Sequence, residues 1–208
     1  MNAQGMNVTT LQERQLDALR EVANIGAGHA ATALSQMTNA RIEVAVPFLQ
    51  MTPLQEIPDT LGPVDTEIAA VLIHILGDIT GRTLLVLPIE SAQRLAEILL
   101  GRPVGLVEFG EMERSALMEA GNILSAAHMN ALSDFLGMML LPSVPHLELD
   151  TVSAVVRTIL DEPGRGGEYA FSIETRFTLY GKEPVTGRFH FLPSFASLRI
   201  IFDALRLG

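Results

Sequence analysis

Glu21, Asn24 and Pro47 are followed 98 residues later by Glu119, Asn122 and Pro145. In each set a carboxylate precedes an amide by three residues, and the amide precedes a proline by 23. Asp17 and Ser115 stand four residues before the two glutamates. These residue types are suited to chemistry. An amide both donates and accepts hydrogen bonds, so it can orient a water molecule without being protonated itself. A carboxylate can pair with a cation on a partner. At roughly one in twenty per residue type, and with about a hundred registers to try, coincidence is on the order of one in eighty. Two acid–amide pairs in matching places therefore point to a duplicated active site.

Other matches support a duplication. Thr80-Gly81-Arg82 followed by Leu87-Pro88 recurs as Thr186-Gly187-Arg188 followed by Leu192-Pro193. Asn24-Ile25 recurs as Asn122-Ile123, and Ala33-Leu34-Ser35 as Ala131-Leu132-Ser133. A period near 100 implies two half-domains rather than a solenoid. The repeats span about 10–101 and 108–207, meeting near Gly101–Gly110, and together form one domain over residues 1–208.

Helices must position the paired residues. Thr10-Leu11-Gln12-Glu13 reads as a capping box, and Leu16, Leu19, Val22 and Ala23 follow at helical spacing. Asp17, Glu21, Asn24 and Gly28 then form one stripe of a helix, as do Ser115, Glu119, Asn122 and Ala126. The small fourth residue would let another surface approach closely. An extended segment leads to each proline, Arg41–Val46 and Leu140–Val144. Strands are expected at Val71–Leu76 and Thr83–Leu87 around the turn Gly77–Gly81, and at Phe171–Tyr180 and Arg188–Leu192 around Gly181–Gly187. Each half closes with a helical pattern, Glu90–Leu100 and Ser194–Leu207. Each half thus reads as helix, strand, loop or short strand, hairpin, helix. Pro53–Pro63 and Asp161–Gly167 carry the turn residues of surface loops.

Composition narrows the function. With 208 residues, nearly half of them apolar, the chain can bury a sizeable core. No apolar run approaches the roughly 18–20 residues of a membrane span. Met1–Thr10 has no basic residue and no apolar signal core, so a cytoplasmic protein is expected. There is no cysteine, which excludes disulfides and thiol nucleophiles. The formal charge of −10 disfavours nucleic acid and free phosphate metabolites. A phosphate carried by a protein with its own cations is less affected.

Several features read as structural. Gly26-Ala27-Gly28-His29-Ala30-Ala31 matches a dinucleotide fingerprint, but that motif needs a buried strand before its glycines. Here a charged helical pattern precedes them, and tight helix packing explains the small residues better. The five histidines lack metal-ligand spacing, and the nine methionines read as core filler. Met138-Met139-Leu140-Leu141 reads as a buried segment.

At Asp17–Glu21–Asn24–Pro47 and Ser115–Glu119–Asn122–Pro145 the chain resembles the CheC family of chemotaxis phosphatases, a group that includes CheX and flagellar-switch relatives. Glu21-Val22-Ala23-Asn24-Ile25-Gly26-Ala27-Gly28 resembles the family's first motif helix. CheX proteins resemble one motif copy and dimerise; two copies favour CheC and a monomer. The resemblance implies an α/β (α+β) sandwich with a mostly antiparallel sheet, long exposed motif helices and pseudo-two-fold symmetry. It implies hydrolysis of the aspartyl phosphate on a phosphorylated CheY-like response regulator. In that reaction Asn24 and Asn122 would orient water, and Glu21 and Glu119 would grip a lysine of the regulator. Asp17 and Ser115 would support the glutamates, and Pro47 and Pro145 would fix the chain after a strand. The chain would need no cofactor of its own, with Mg²⁺ supplied by the bound regulator. A CheD deamidase is a further implied partner. The competing reading is a weakly catalytic adaptor for CheD or a flagellar-switch component.

Overall fold

The computed structural model describes residues 13–102, 109–161, 169–179 and 183–207. Thr10-Leu11-Gln12 of the expected capping box lies outside them, as do 103–108 at the junction, 162–168 and 180–182.

The first half runs α1 (Glu13–Thr38), β1 (Ile42–Pro53), a 3-10 turn (Leu54–Glu56), α2 (Ile57–Leu61), β2 (Glu67–Gly77), β3 (Gly81–Pro88) and α3 (Ile89–Leu100). The second runs α4 (Glu111–Leu136), β4 (Leu140–Pro142), β5 (His146–Thr151), α5 (Val152–Asp161), β6 (Tyr169–Leu179), β7 (Val185–Pro193) and α6 (Phe195–Leu207). The expected loop or short strand between the first strand and the hairpin is instead a short helix in both halves, α2 and α5. Ile57 explains α2: it is buried against the outer face of the sheet with Ile68 and Leu84, so this segment contributes to a core.

All strands form one antiparallel sheet in the order β1-β6-β7-β3-β2-β4, with β5 also on β2. The halves interlock. β1 of the first half pairs with β6 of the second, while β4 and β5 of the second pair with β2 of the first. At the centre β3 lies against β7, with Leu84 opposite His190. Those residues stand four places after Thr80 and Thr186 of the repeated Thr-Gly-Arg motif, so the pseudo-two-fold axis passes between them.

The helices α1, α3, α4 and α6 cover one face of the sheet. Their buried residues, such as Leu34, Leu95, Leu124 and Ile201, join Val71, Leu85 and Phe189 in the main core. The smaller helices α2 and α5 cover part of the other face, over Ile68, Leu84 and Leu192.

Both motif prolines interrupt edge strands in the same way. Ala45 faces Arg176 and Phe48 faces Glu174, so three steps along β1 match two along β6. Pro142 faces Ile75 and His146 faces Leu72, so four steps match three on β2. Each proline thus sits in a bulge with one extra residue, where its missing N–H leaves no ladder bond unmade. The sequence pattern ended each extended segment at the proline; β1 instead runs on through Pro47 to Pro53, and β4 is followed after Pro145 by β5, to Thr151. Met138–Leu141 departs from its expected burial. Only Leu140 of this stretch is buried, while Met139, just before edge strand β4, and Leu141, on it, are half-exposed on either side, as alternation along an edge requires.

Two glycines set the helix packing. A Cβ on Gly26 would stand 2.8 Å from His128 Cα, so α1 and α4 touch there almost backbone to backbone. A Cβ on Gly121 would stand 2.5 Å from Val71 Cγ1, which seats α4 on β2. Gly121→Ala is expected to lower stability by about 1–3 kcal/mol, because the core must shift to admit the methyl. Gly28→Ala provides the control, since nothing lies within 4 Å of its would-be Cβ. It should gain a few tenths to about 1 kcal/mol from helix propensity. Urea unfolding of the two variants checks both signs.

Candidate active site

The motif helices α1 and α4 are each 26 residues long and lie side by side on the same face of the sheet. The buried stripe of α1 is Leu19, Val22, Ala23, Ala27, Ala30 and Leu34. That spacing turns Asp17, Glu21, Asn24 and Gly28 to the opposite side, where all four are exposed. On α4, Leu117, Ala120, Leu124 and Ala131 are buried, and Ser115 and Glu119 are exposed. Asn122 and Ala126 differ from their partners in α1: both are half-buried.

Each glutamate shares a helix face with its asparagine, one turn apart. An amide that can hold water and a carboxylate that can meet a cation therefore point the same way from each helix. Asp17 accepts a hydrogen bond from Arg20 at 2.9 Å rather than meeting Glu21. Both side chains of that pair are more than half exposed, so it contributes at most about 1 kcal/mol. Pro47 and Pro145 lie off the helices, in the edge-strand bulges. The dinucleotide-like stretch Gly26–Ala31 lies inside α1, with no strand leading into it, and Gly26 makes the helix contact described above.

The histidines divide into two groups. His29, His74 and His146 are exposed. His128 and His190 are buried, and burial pushes the imidazole of each down to about 4. His128 shares its Nδ1 with the Leu124 carbonyl and stacks on Phe189, with ring centroids 4.9 Å apart. His190 Nδ1 meets the Ser172 hydroxyl at 2.9 Å. Among the described residues, no three His, Asp or Glu side chains come together as a metal site. No helix among them is long and apolar enough to cross a membrane.

The buried pair predicts acid sensitivity. Each histidine binds its proton more weakly folded than unfolded, so between about pH 6.5 and about pH 4 the unfolded state holds more protons. Stability is then full above the unfolded value and falls as the pH drops through that window. Each residue contributes up to about 3 kcal/mol of the loss. Denaturant midpoints at pH 7.5 and pH 5 should differ for the wild type, and differ less for His190→Gln.

One residue beside the site escaped the sequence pattern. Ile25 is 44% exposed, next to Asn24. A helical projection would have found it, because it falls between the buried stripe and the polar one.

Comparison with known proteins bears on these same helices. The model of the CheC-like family matches residues 15–51 and 112–149, which take in both acid–amide–proline sets. The CheY-P phosphatase CheC of Bacillus subtilis (strain 168) is 36% identical over 199 residues, covering 94% of this chain and 95% of its own. The flagellar motor switch phosphatase FliY of the same organism is 27% identical over 144 residues, covering 68% of this chain and 37% of its own. Among solved structures, Thermotoga maritima FliY superposes with a TM-score of 0.76 at 20% identity, over 96% of this chain and 99% of that one. With one relative similar along nearly its whole length and the family model matched at both motif helices, this chain belongs to the CheC-like family.

Proposed function

We propose that this protein is a phosphatase that hydrolyses the aspartyl phosphate of a CheY-like response regulator, using one site at Glu21 and Asn24 and another at Glu119 and Asn122. One observation carries the reading. Each Glu-x-x-Asn pair stands on the outward side of a motif helix, within the two segments that match the CheC-like family. The names of the Bacillus relatives, a CheY-P phosphatase and a flagellar motor switch phosphatase, support the same substrate.

The chemistry asks little of the enzyme beyond placement. An acyl phosphate is hydrolysed when water lies in line with the leaving oxygen and the charge on the phosphoryl group is stabilised. Asn24 and Asn122 would accept one hydrogen bond from that water and donate another, fixing its direction. Neither needs to change protonation during the reaction. Glu21 and Glu119 repel phosphate, so their use is to pair with a cation of the regulator, in this account a lysine at its phosphorylation site. The regulator brings its own Mg²⁺ and the phosphorylated aspartate. A surface of net charge −10 is tolerable because the phosphate arrives surrounded by those cations.

The test is phosphate release from a phosphorylated CheY-type regulator in the presence of Mg²⁺. Catalytic amounts of this protein should accelerate release over the regulator's own decay, with many turnovers per chain. Acetyl phosphate, which lacks the regulator's cations, should not be turned over. No acceleration with the regulator would reject the proposal.

A further inference from the structure

We infer that the two sites are unequal: the α1 site, with Ile25 as an apolar docking contact beside Asn24, carries most of the turnover. This rests on the phosphatase reading above.

Positions 98 residues apart differ in a consistent direction. Asn24 is exposed and Asn122 half-buried. Ile25 is 44% exposed, whereas Ile123 packs against the main core. Gly28 opens onto free space, whereas Ala126 is half-buried. His29 is exposed, whereas Ala127 is buried. Ser115 and Glu119 are exposed like Asp17 and Glu21, but from Asn122 onward the working face of α4 is recessed relative to that of α1.

The cause lies on the buried side of the helices. Where α1 has Ala23, α4 has Gly121, whose missing Cβ lets the backbone settle onto Val71. Where α1 has Ala27, α4 has Ser125, whose hydroxyl shares a buried 2.8 Å hydrogen bond with Thr83 on β3. Glycine permits the close approach and the hydroxyl pair holds it. An alanine at each place gives α1 neither.

Depth matters because the substrate is a folded protein. To hold water against a phosphoryl group, the amide must come within hydrogen-bond reach of that water, roughly 3 Å, and so within one water's width of the phosphoryl group. An amide on an open helix face meets a docking protein without rearrangement. A half-buried amide requires the partner to reach inward. Ile25 adds apolar area where the partner must sit, next to the reacting groups, and its counterpart Ile123 is already occupied by the core. The occupant is the regulator surface around its phosphorylated aspartate, because Ile25 adjoins the residue assigned to that phosphate.

Steady-state kinetics on full-length single, double and triple variants tests this. Asn24→Ala should lower kcat/KM about tenfold or more, and Asn122→Ala less than about twofold. In the Asn122→Ala chain, Ile25→Ala should raise KM about fivefold with kcat unchanged, as expected for a partly buried apolar contact. In the Asn24→Ala chain, Ile25→Ala should change nothing. Ile25 is half-exposed, so its truncation leaves no core cavity, and an unchanged melting curve verifies the fold. Equal losses from the two asparagines, a larger loss at Asn122, or an unaltered KM for Ile25→Ala would overturn the inequality. A double asparagine variant with wild-type activity would overturn the phosphatase site itself, so the two failures are distinguishable.

Discussion

Replacing Asn24 and Asn122 together by alanine is expected to lower kcat for dephosphorylation by about two orders of magnitude or more. The protein should remain folded and should still bind the phosphorylated regulator. The size follows from the role. If the amide only positions water, its interaction is strongest when the water is in line with the leaving oxygen, so its loss raises the barrier and leaves ground-state binding nearly intact. The fold should tolerate the change because the side chains leave the helix on its outward side, one exposed and one half-buried. Alanine also has the better intrinsic helix propensity, so each substitution removes a mild helix penalty. Wild-type kcat in a folded double variant would remove both asparagines from the mechanism.

The carboxylates predict a different signature. Glu21→Gln with Glu119→Gln should weaken association with the regulator by about 30-fold or more, with a much smaller change in kcat. Truncating one partner of a desolvated charge pair costs roughly 2–5 kcal/mol, largely because the remaining cation is left unpaired. A cost of about 2 kcal/mol already corresponds to a factor of about 30 in affinity. Both glutamates are exposed in the free protein, so the partner must supply the desolvation. Wild-type binding should therefore weaken as salt rises, to the extent that the pair stays near solvent. Titrating a regulator locked in its phosphorylated form against both proteins measures this. Equal affinities with reduced kcat would mean that the carboxylates act on the reaction itself, and the gripping role would be lost.

The sequence was informative where physical pattern repeats within the chain. The spacing of Leu19, Val22 and Ala23 placed Glu21 and Asn24 on the outward side of a helix, and the same spacing served for Glu119. The hairpins were legible because Gly77–Gly81 interrupts two apolar runs. Pairing was not legible, because nothing local tells β1 to join β6 rather than β2. The bulges at Pro47 and Pro145 were hidden for the same reason, since a bulge exists only relative to the partner strand. Helix α2 was missed because its five residues carry too little periodicity, and its burial comes from the sheet beneath it; α5 was legible, since Val152, Val155 and Val156 fall at helical spacing, and was overlooked. The unequal depth of Asn24 and Asn122 rests on Gly121 and Ser125, whose importance appears only once Val71 and Thr83 lie against them.

The most direct measurement is phosphate release under single turnover, with the protein in saturating excess over a phosphorylated CheY-type regulator and Mg²⁺ present. Saturation removes binding from the rate, so only the catalytic step is compared. The account predicts rapid release with the wild-type chain. With the Asn24→Ala, Asn122→Ala double variant it predicts a formed complex whose phosphate decays about as slowly as in the regulator alone. Release that is not accelerated by the wild type, or is accelerated equally by the double variant, would contradict it.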